Sequence, residues 1–360
     1  MKKLYALLLA AAIPVALGVC PAPVLGQARR PVTISGAGAS FPYPLYAMWA
    51  DRYEKLTGNR LNYQSIGSGG GVAQIKARTV DFGATDAPLS AQELAEGGLI
   101  QFPLIVGGIV PVVNVDGVEP GRLVLNEELL VDIFLGRITN WSDPRIATLN
   151  PDVSLPSLAI TVVRRADGSG STWLLTNYLS LVSEEWKTKV GAGSSVAWPV
   201  GVGGRGNEGV AAYVQRIAGA IGYVEYAYAV QNEISHANLV NKAGKTVSPG
   251  IPAFQAAAAN ADWAGTPGYA VVLVDQPGDA SWPITGASFI LVHKSQTNAA
   301  RARAMLEFFD WCLKHGADTA VELDYVPLPA NVVALIENTW STQLSVDGIS
   351  VWRKAATDNK

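Results

Sequence analysis

Serine, glycine and arginine residues cluster in loops of this sequence, in combinations that suit the binding of an oxyanion. Ser40 lies within SGAGASFP (residues 35–42) and Ser68 within GSGGG (residues 67–71), while RRADGSGST (residues 164–172) adds an arginine pair. Hydroxyl groups donate hydrogen bonds, a guanidinium can bind two oxygens at once, and glycine lets backbone N–H groups come close to a ligand. These residue types together predict a site for a phosphate-like or sulfate-like anion.

Each of these loops follows a short apolar stretch and precedes a helical pattern. The sequence predicts strands at residues 32–35, 61–66, 81–84 and 160–163, helices at residues 44–56 and 72–79, and a helix capped by Ser90 with Glu93. Strand–loop–helix units in succession indicate a parallel α/β sheet. Such sheets bind ligands at the carboxyl ends of their strands, where helix N-termini attract anions.

Simpler interpretations remain open for single loops. An ordinary turn explains any one Gly/Ser loop, and Arg164 with Arg165 is compatible with a solvated surface turn. The stretch GVGGRG (residues 201–206) matches the G-x-G-x-x-G pattern, and Glu225 follows about twenty residues later, as in a dinucleotide site. Because the pattern lies deep in the chain with no candidate hydride-transfer residue nearby, we interpret it as a glycine-rich loop that packs at a domain interface.

No enzyme class is favoured by the motifs. The three histidines, His236, His293 and His315, are widely scattered and show no metal-ligand spacing. The sequence contains neither a G-x-S-x-G elbow nor a phosphate-binding loop ending in Gly-Lys-Ser/Thr. We therefore predict no catalytic residue, no metal site and no cofactor.

The first 28 residues have the layout of a secretory signal peptide: Lys2 and Lys3, an apolar run at residues 4–19, then small and turn-forming residues. Cleavage is expected after Gly26 or Ala28. The alternative, lipid attachment at Cys20, is disfavoured because it requires a small residue where Val19 stands. The chain is therefore expected to be exported to the periplasm.

Composition limits the fold and its partners. The 360 residues carry a net charge of −3, so no broad basic surface exists to attract nucleic acid. About 330 mature residues exceed the size at which a single core keeps growing, which predicts two domains. Once Cys20 is removed, only Cys312 remains, so no intramolecular disulfide can form; we place Cys312 in the core face of a helix at residues 301–314.

Six specific segments are spread over essentially the whole mature chain: SGAGASFP (35–42), GSGGGV (67–72), VDFGATDAPLS (80–90), VVRRADGSGS (162–171), AIGYVEYAYA (220–229) and WPIT (282–285). In these segments the chain resembles a known family, that of PstS, the phosphate-binding components of high-affinity phosphate ABC transporters.

The resemblance implies a buried phosphate with named contacts from two lobes. The first lobe would contribute Ser40, the Phe41 backbone, Ser68 and Asp86. The second lobe would contribute Arg165, Ser169, Gly170 and Ser171, with Asp167 orienting the arginine. Serine replaces the threonine that is common in the family at positions 40 and 171, which keeps the hydroxyl, and Gly69 replaces a frequent serine.

Asp86 indicates how the implied site could distinguish phosphate from sulfate. Phosphate keeps at least one proton near neutral pH and can donate it to a carboxylate, whereas sulfate is fully deprotonated. A buried acceptor left unpaired beside a like charge should disfavour sulfate on the order of 1,000-fold or more. The alternative interpretation is an aspartate that merely caps a turn before Pro88.

The fold implied is a two-lobed α/β periplasmic binding protein fold (type II-like), each lobe a mixed sheet flanked by helices, with the ligand in the interlobe cleft. We place lobe I at residues 29–107 plus 283–360 and lobe II at residues 108–282, with crossings near Gly107 and Trp282. The implied partners are inorganic phosphate and an inner-membrane phosphate ABC permease, and the implied state is a monomer. Two alternatives stay open: a secreted phosphatase related to this family, and a receptor for another tetrahedral oxyanion such as arsenate.

Overall fold

The protein is described by a computed structural model that covers residues 31–352. The predicted signal peptide at residues 1–28, its cleavage sites and Cys20 lie outside the described residues. Within residues 31–352, no helix is long and apolar enough to cross a membrane.

Thirteen strands occur in the described part of the chain: β1 Thr33–Gly38, β2 Arg60–Ser65, β3 Phe82–Thr85, β4 Leu99–Val113, β5 Val124–Leu125, β6 Thr161–Arg165, β7 Val202–Gly204, β8 Ala220–Glu225, β9 Asn238–Val240, β10 Thr246–Val247, β11 Thr285–His293, β12 Ser345–Val346 and β13 Ile349–Ser350. The helices that accompany them are α1 Tyr43–Thr57, α2 Ser68–Lys76, α3 Ala91–Gly97, α4 Glu127–Phe134, α5 Pro144–Leu149, α6 Gly170–Val182, α7 Glu184–Lys189, α8 Gly206–Arg216, α9 Tyr226–Gln231, α10 Ile251–Ala258, α11 Ala299–His315, α12 Ala317–Glu322 and α13 Ala330–Gln343, with a 3₁₀ turn at Pro267–Tyr269.

Eight strands form one sheet in the order β2-β1-β3-β11-β4-β8-β6-β7. At one end β1 is parallel to β2 and β3, and at the other β6 is parallel to β7 and β8. Between them, β11 runs antiparallel to β3 and β4, and β4 runs antiparallel to β8. The predicted strand–loop–helix units are confirmed as two parallel groups, and antiparallel strands make the whole sheet mixed.

The long strand β4 belongs to both halves of this sheet. Its residues 99–108 pair with β11, and its residues 109–113 pair with β8. All fifteen residues are buried, which fits an apolar run covered on both faces. The indole of Trp282 donates to the carbonyl of Ile109 at 2.9 Å, so the returning chain meets β4 at the change of partner.

Several element boundaries differ from the sequence prediction: β1 continues through Gly38 instead of ending at residue 35, and α2 ends at Lys76 instead of residue 79. Helix α2 begins at Ser68 rather than at Val72, because its glycines lie inside the helix; a Cβ at Gly71 would lie 2.5 Å from the Cα of Gly38. Strand β6 extends through Arg165, although the sequence pattern predicts this residue in the following loop. The capping box of Ser90 and Glu93 is confirmed, and Cys312 is buried as expected.

The 3₁₀ turn at Pro267–Tyr269, which precedes Trp282 in the chain, packs against β4 and α13. The carbonyl of Gly268 accepts from Gln101 Nε2 at 2.8 Å, and the hydroxyl of Tyr269 lies 2.7 Å from that of Thr339 on α13. Residues 267–269 therefore contact the part of β4 that pairs with β11. They do so although the preceding strands β6 to β8 lie in the other half of the sheet, beyond the part of β4 that pairs with β8.

Candidate functional site

The turn between β1 and α1 carries Ser40 and Phe41, and neighbouring side chains fix its backbone. Tyr228 donates its hydroxyl to the Ser40 carbonyl at 2.6 Å, and the Tyr325 hydroxyl lies 2.7 Å from the Phe41 carbonyl. The Ser40 hydroxyl accepts from the backbone N–H of Asn207 at 3.1 Å and from its side-chain amide at 2.9 Å. The ring of Phe41 is buried in the core, so this residue can offer only its backbone to a ligand.

Ser68 is the first residue of α2 and joins two loops from opposite halves of the sheet. Its hydroxyl accepts from the backbone N–H of Asp86 at 3.2 Å and from that of Gly170 at 3.0 Å. A Cβ at Gly170 would lie 2.5 Å from the Cβ of Asp86. Glycine at position 170 is therefore required for the two loops to approach this closely.

Asp86 follows β3 and is 2% exposed. Burial raises the pKa of its carboxyl to about 7, although Ser288, Arg165 and Ser68 all act in the opposite direction. Its Oδ1 atom makes no hydrogen bond of ordinary geometry within the described part of the chain, and the hydroxyl of Ser288, which is close enough to lower this pKa, makes none either. A buried acceptor without a partner is costly, so this oxygen is suited to a ligand that brings its own proton.

Arg165 ends β6 and forms a two-point ion pair with Asp167. Its Nε lies 2.8 Å from Asp167 Oδ1, and its Nη2 lies 2.5 Å from Asp167 Oδ2. Although burial opposes both charges, the pair keeps the pKa of Arg165 above and that of Asp167 below their ordinary values. The fork to Asp167 leaves Nη1 of Arg165 for another acceptor, while Asp167 Oδ1 also accepts from the Gly206 N–H at 3.2 Å.

The N-terminus of α6 lies beside this ion pair. Ser169 is the N-cap residue, and its hydroxyl accepts from the backbone N–H of Thr172 at 3.1 Å. Gly170 and Ser171 form the first turn, and the buried Ser171 hydroxyl has no partner among residues 31–352. A helix of thirteen residues directs N–H groups and the positive end of its dipole at this point, which favours an anion.

The nine residues named from the sequence therefore form one connected site. Ser68 links Asp86 to Gly170, Asp167 links Arg165 to Gly206, and the next residue, Asn207, reaches Ser40. The individual roles of these residues toward a ligand remain predictions. Two carboxylates and one guanidinium give the site no excess of positive charge, so hydrogen bonds would have to supply most of the affinity.

Sequence reasoning missed Asn207, Tyr228 and Tyr325. Asn207 is fully buried and directly follows GVGGRG, so the glycine pattern was a usable signal that pointed to the right place. The two tyrosines gave no local signal, since each acts on a backbone carbonyl that is distant in sequence. No cluster of three or more potential metal ligands occurs within residues 31–352.

Comparisons with known proteins show which family the chain belongs to. A family model described as a PBP superfamily domain matches residues 24–315. The chain is 57% identical over 322 residues to the phosphate-binding protein PstS of Pasteurella multocida, covering 89% of this chain and 94% of that protein. It is 35% identical over 332 residues to the phosphate-binding protein PstS of Methanocaldococcus jannaschii, covering 84% of each.

A solved structure gives the fold independently. The phosphate-binding protein from Stenotrophomonas maltophilia superposes with a TM-score of 0.66 at 20% identity, covering 90% of this chain and 99% of that one. The two-lobed periplasmic binding protein fold expected from the sequence is confirmed.

Proposed function

The chain belongs to the PstS family of phosphate-binding proteins, and from this premise we propose that it binds inorganic phosphate and delivers it to an ABC-type phosphate importer. The observation that carries the proposal is the pairing of a buried carboxylate acceptor with a set of buried donors. Asp86 Oδ1 needs a proton, the Ser171 hydroxyl needs an acceptor, and the ion pair with Asp167 does not use Nη1 of Arg165. A partly protonated tetrahedral oxyanion satisfies both requirements at once.

The donors come from both halves of the sheet. Ser40, the Phe41 backbone and Ser68 would bind phosphate oxygens from one side, and Arg165, Ser169, Gly170 and Ser171 from the other. Roughly ten hydrogen bonds at about 1 kcal/mol net would reach the −8 kcal/mol of micromolar binding. Asp167 would orient the arginine rather than contact the ligand.

Asp86 would select phosphate over sulfate. An ionised Asp86 accepts the proton of hydrogenphosphate or dihydrogenphosphate, whereas sulfate leaves the carboxylate unpaired beside a like charge. Arsenate carries protons as phosphate does and would satisfy the same carboxylate. Binding of arsenate is therefore an expected side activity of the site, not an argument against it.

Phosphate would be enclosed by closure of the two lobes. We keep residues 29–107 plus 283–360 as lobe I and residues 108–282 as lobe II, with β4 and the chain near Trp282 as the two crossings. In this division, the hydrogen bonds of Gly268 with Gln101 and of Tyr269 with Thr339 join lobe II to lobe I. The contacts of Ser68 with Gly170 and of Asn207 with Ser40 would form on closure and break on opening. The ligand would then shift an open–closed equilibrium, and the permease would recognise the closed shape.

We propose that the protein acts in the periplasm and that residues 1–28 are removed on export. The mature chain would then act as a diffusible monomer without catalytic activity. Fractionation of cells by osmotic shock should release the protein without detergent. Retention in the membrane fraction would instead support lipid attachment at Cys20.

Calorimetric titration of phosphate into protein stripped of ligand by unfolding and refolding tests the proposal. We expect saturable one-site binding, and Arg165→Lys should weaken it by about 10- to 100-fold because the two-point guanidinium fork is lost. Arg164→Lys, one residue away, serves as the matched control and should bind normally. A folded sample that fails to bind phosphate, or that hydrolyses a chromogenic phosphomonoester, would overturn the receptor assignment.

A further inference from the structure

Tyr325 lies between two acceptors that compete for its single proton. Its buried hydroxyl oxygen is 2.7 Å from the Phe41 carbonyl and 2.8 Å from Oε2 of Glu225. Both distances are those of a full-strength O–H···O hydrogen bond. A phenol hydroxyl has one proton, so it can donate to only one of these oxygens at this strength.

The two short contacts of Tyr325 need two protons, and the phenol supplies only one. Because the Phe41 carbonyl can only accept a hydrogen bond, the second proton must come from Glu225. If the Glu225 carboxyl were ionised, one of the two short contacts would join two oxygens with no proton between them. If Glu225 is protonated on Oε2, it donates to Tyr325 and Tyr325 donates to Phe41, so both contacts are satisfied. The N–H of Ala227, 2.9 Å from the same Oε2, can still donate to its remaining lone pair.

The surroundings of Glu225 favour the neutral form. The side chain is completely buried at the end of β8, and its Oε1 has no hydrogen-bond partner within residues 31–352. The titratable groups that face it are the phenols of Tyr325, Tyr226 and Tyr228 and the carboxyl of Asp324, whose charge has the same sign. Burial raises the pKa of Glu225 well above its ordinary value.

We propose that Glu225 is held as a neutral carboxylic acid and acts with Tyr325 as a positioning pair that orients the Phe41 peptide in the anion-binding turn. This inference rests on the proposed function, because the turn matters only if phosphate binds there. Glu225 pairs with Ile109, where β4 changes partner, so its hydrogen bond to Tyr325 lies at the crossing between the proposed lobes. Glu225 also donates its backbone N–H to Asn207 Oδ1 at 3.0 Å, and Asn207 in turn holds Ser40, so one residue supports both halves of the turn.

Difference infrared spectroscopy reads the protonation state directly and needs no ligand. In an Asp86→Asn background, which removes the other carboxyl of raised pKa in the site, we expect a carboxylic-acid C=O band at pH 8, where an ordinary glutamate is ionised. Subtracting the spectrum of Asp86→Asn/Glu225→Gln should isolate this band. Its absence from the difference spectrum would overturn the protonated Glu225.

Phosphate titration tests the positioning role separately. Tyr325→Phe should weaken phosphate binding about tenfold, the equivalent of one hydrogen bond, whereas Tyr226→Phe removes a neighbouring phenol hydroxyl and should not. Glu225→Leu should weaken binding more than Glu225→Gln, since the amide keeps a donor for Tyr325. Normal affinity in Tyr325→Phe would overturn the positioning role, while failure of the unmodified protein to bind phosphate would reject the proposed function and leave the infrared result standing.

Discussion

Sulfate should compete with phosphate better at low pH than at high pH, because the protonation state of Asp86 decides which anion fits. Hydrogenphosphate and dihydrogenphosphate each bring a proton to the open Oδ1 atom, and sulfate brings none near neutral pH. Sulfate therefore fits only when the carboxyl of Asp86 carries the proton itself. Asparagine at this position would offer an N–H donor at every pH.

The size of the effect follows from the pKa of about 7 that burial gives to Asp86. About nine-tenths of the carboxyl is protonated at pH 6 and about one-tenth at pH 8. The Kd for sulfate should therefore rise about tenfold from pH 6 to pH 8 in the unmodified protein. In Asp86→Asn it should stay constant, and at pH 8 it should be at least about tenfold lower than in the unmodified protein.

Competition of sulfate against labelled phosphate, measured at pH 6, 7 and 8 on refolded ligand-free protein, gives these constants. Asp116→Asn removes an exposed carboxyl outside the site and should reproduce the unmodified protein. Equal sulfate competition at pH 6 and pH 8, or an unchanged pH dependence in Asp86→Asn, would refute the role of Asp86 as a proton acceptor.

Three further predictions follow from the packing of the site. Gly170→Ala should weaken phosphate binding at least about tenfold, because the new Cβ would lie 2.5 Å from the Cβ of Asp86. The thermal unfolding of the ligand-free protein should stay nearly unchanged. Normal phosphate affinity in this variant would show that the two loops need not approach so closely. Asn207→Ala should weaken binding about 10- to 100-fold in calorimetry, because Ser40 loses the side-chain amide donor, although it keeps the backbone N–H, and the buried N–H of Glu225 loses its acceptor; a change below about twofold would contradict this. Cys312 is buried with a raised thiol pKa, so a thiol reagent should label it only after unfolding, and rapid labelling of native protein would contradict its core position.

Local patterns in the sequence predicted the parts of this protein that depend on neighbouring residues. The Ser90–Glu93 capping box appears as predicted, and the strands before Ser40, Ser68 and Asp86 appear with ends within three residues of the prediction, because caps and strands depend on a few neighbouring residues. The start of α2 was misplaced because glycine usually ends a helix, whereas here Gly71 lies inside one and lets α2 approach the backbone of β1.

The residues that sequence reasoning missed act over long distances. Tyr325 lies between α12 and α13 but contacts a carbonyl near the N-terminus of the fold, and Tyr228 does the same from the other half of the sheet. Such contacts depend on the order of strands in the sheet, and no periodicity reports that order. Only the resemblance to a known family could connect Asp86 with Arg165 before the structure did.

The position of β11 also determines when the sheet can be completed during folding. This strand comes from the last quarter of the chain, yet it lies between β3 and β4, which come from the first third. Until β11 is present, β3 and β4 each expose an unpaired edge, and such edges are templates for aggregation. Pairings between segments so distant in sequence are slow to form. A chain truncated before Thr285 should therefore not reach a native first half of the sheet, however intact its anion-binding loops.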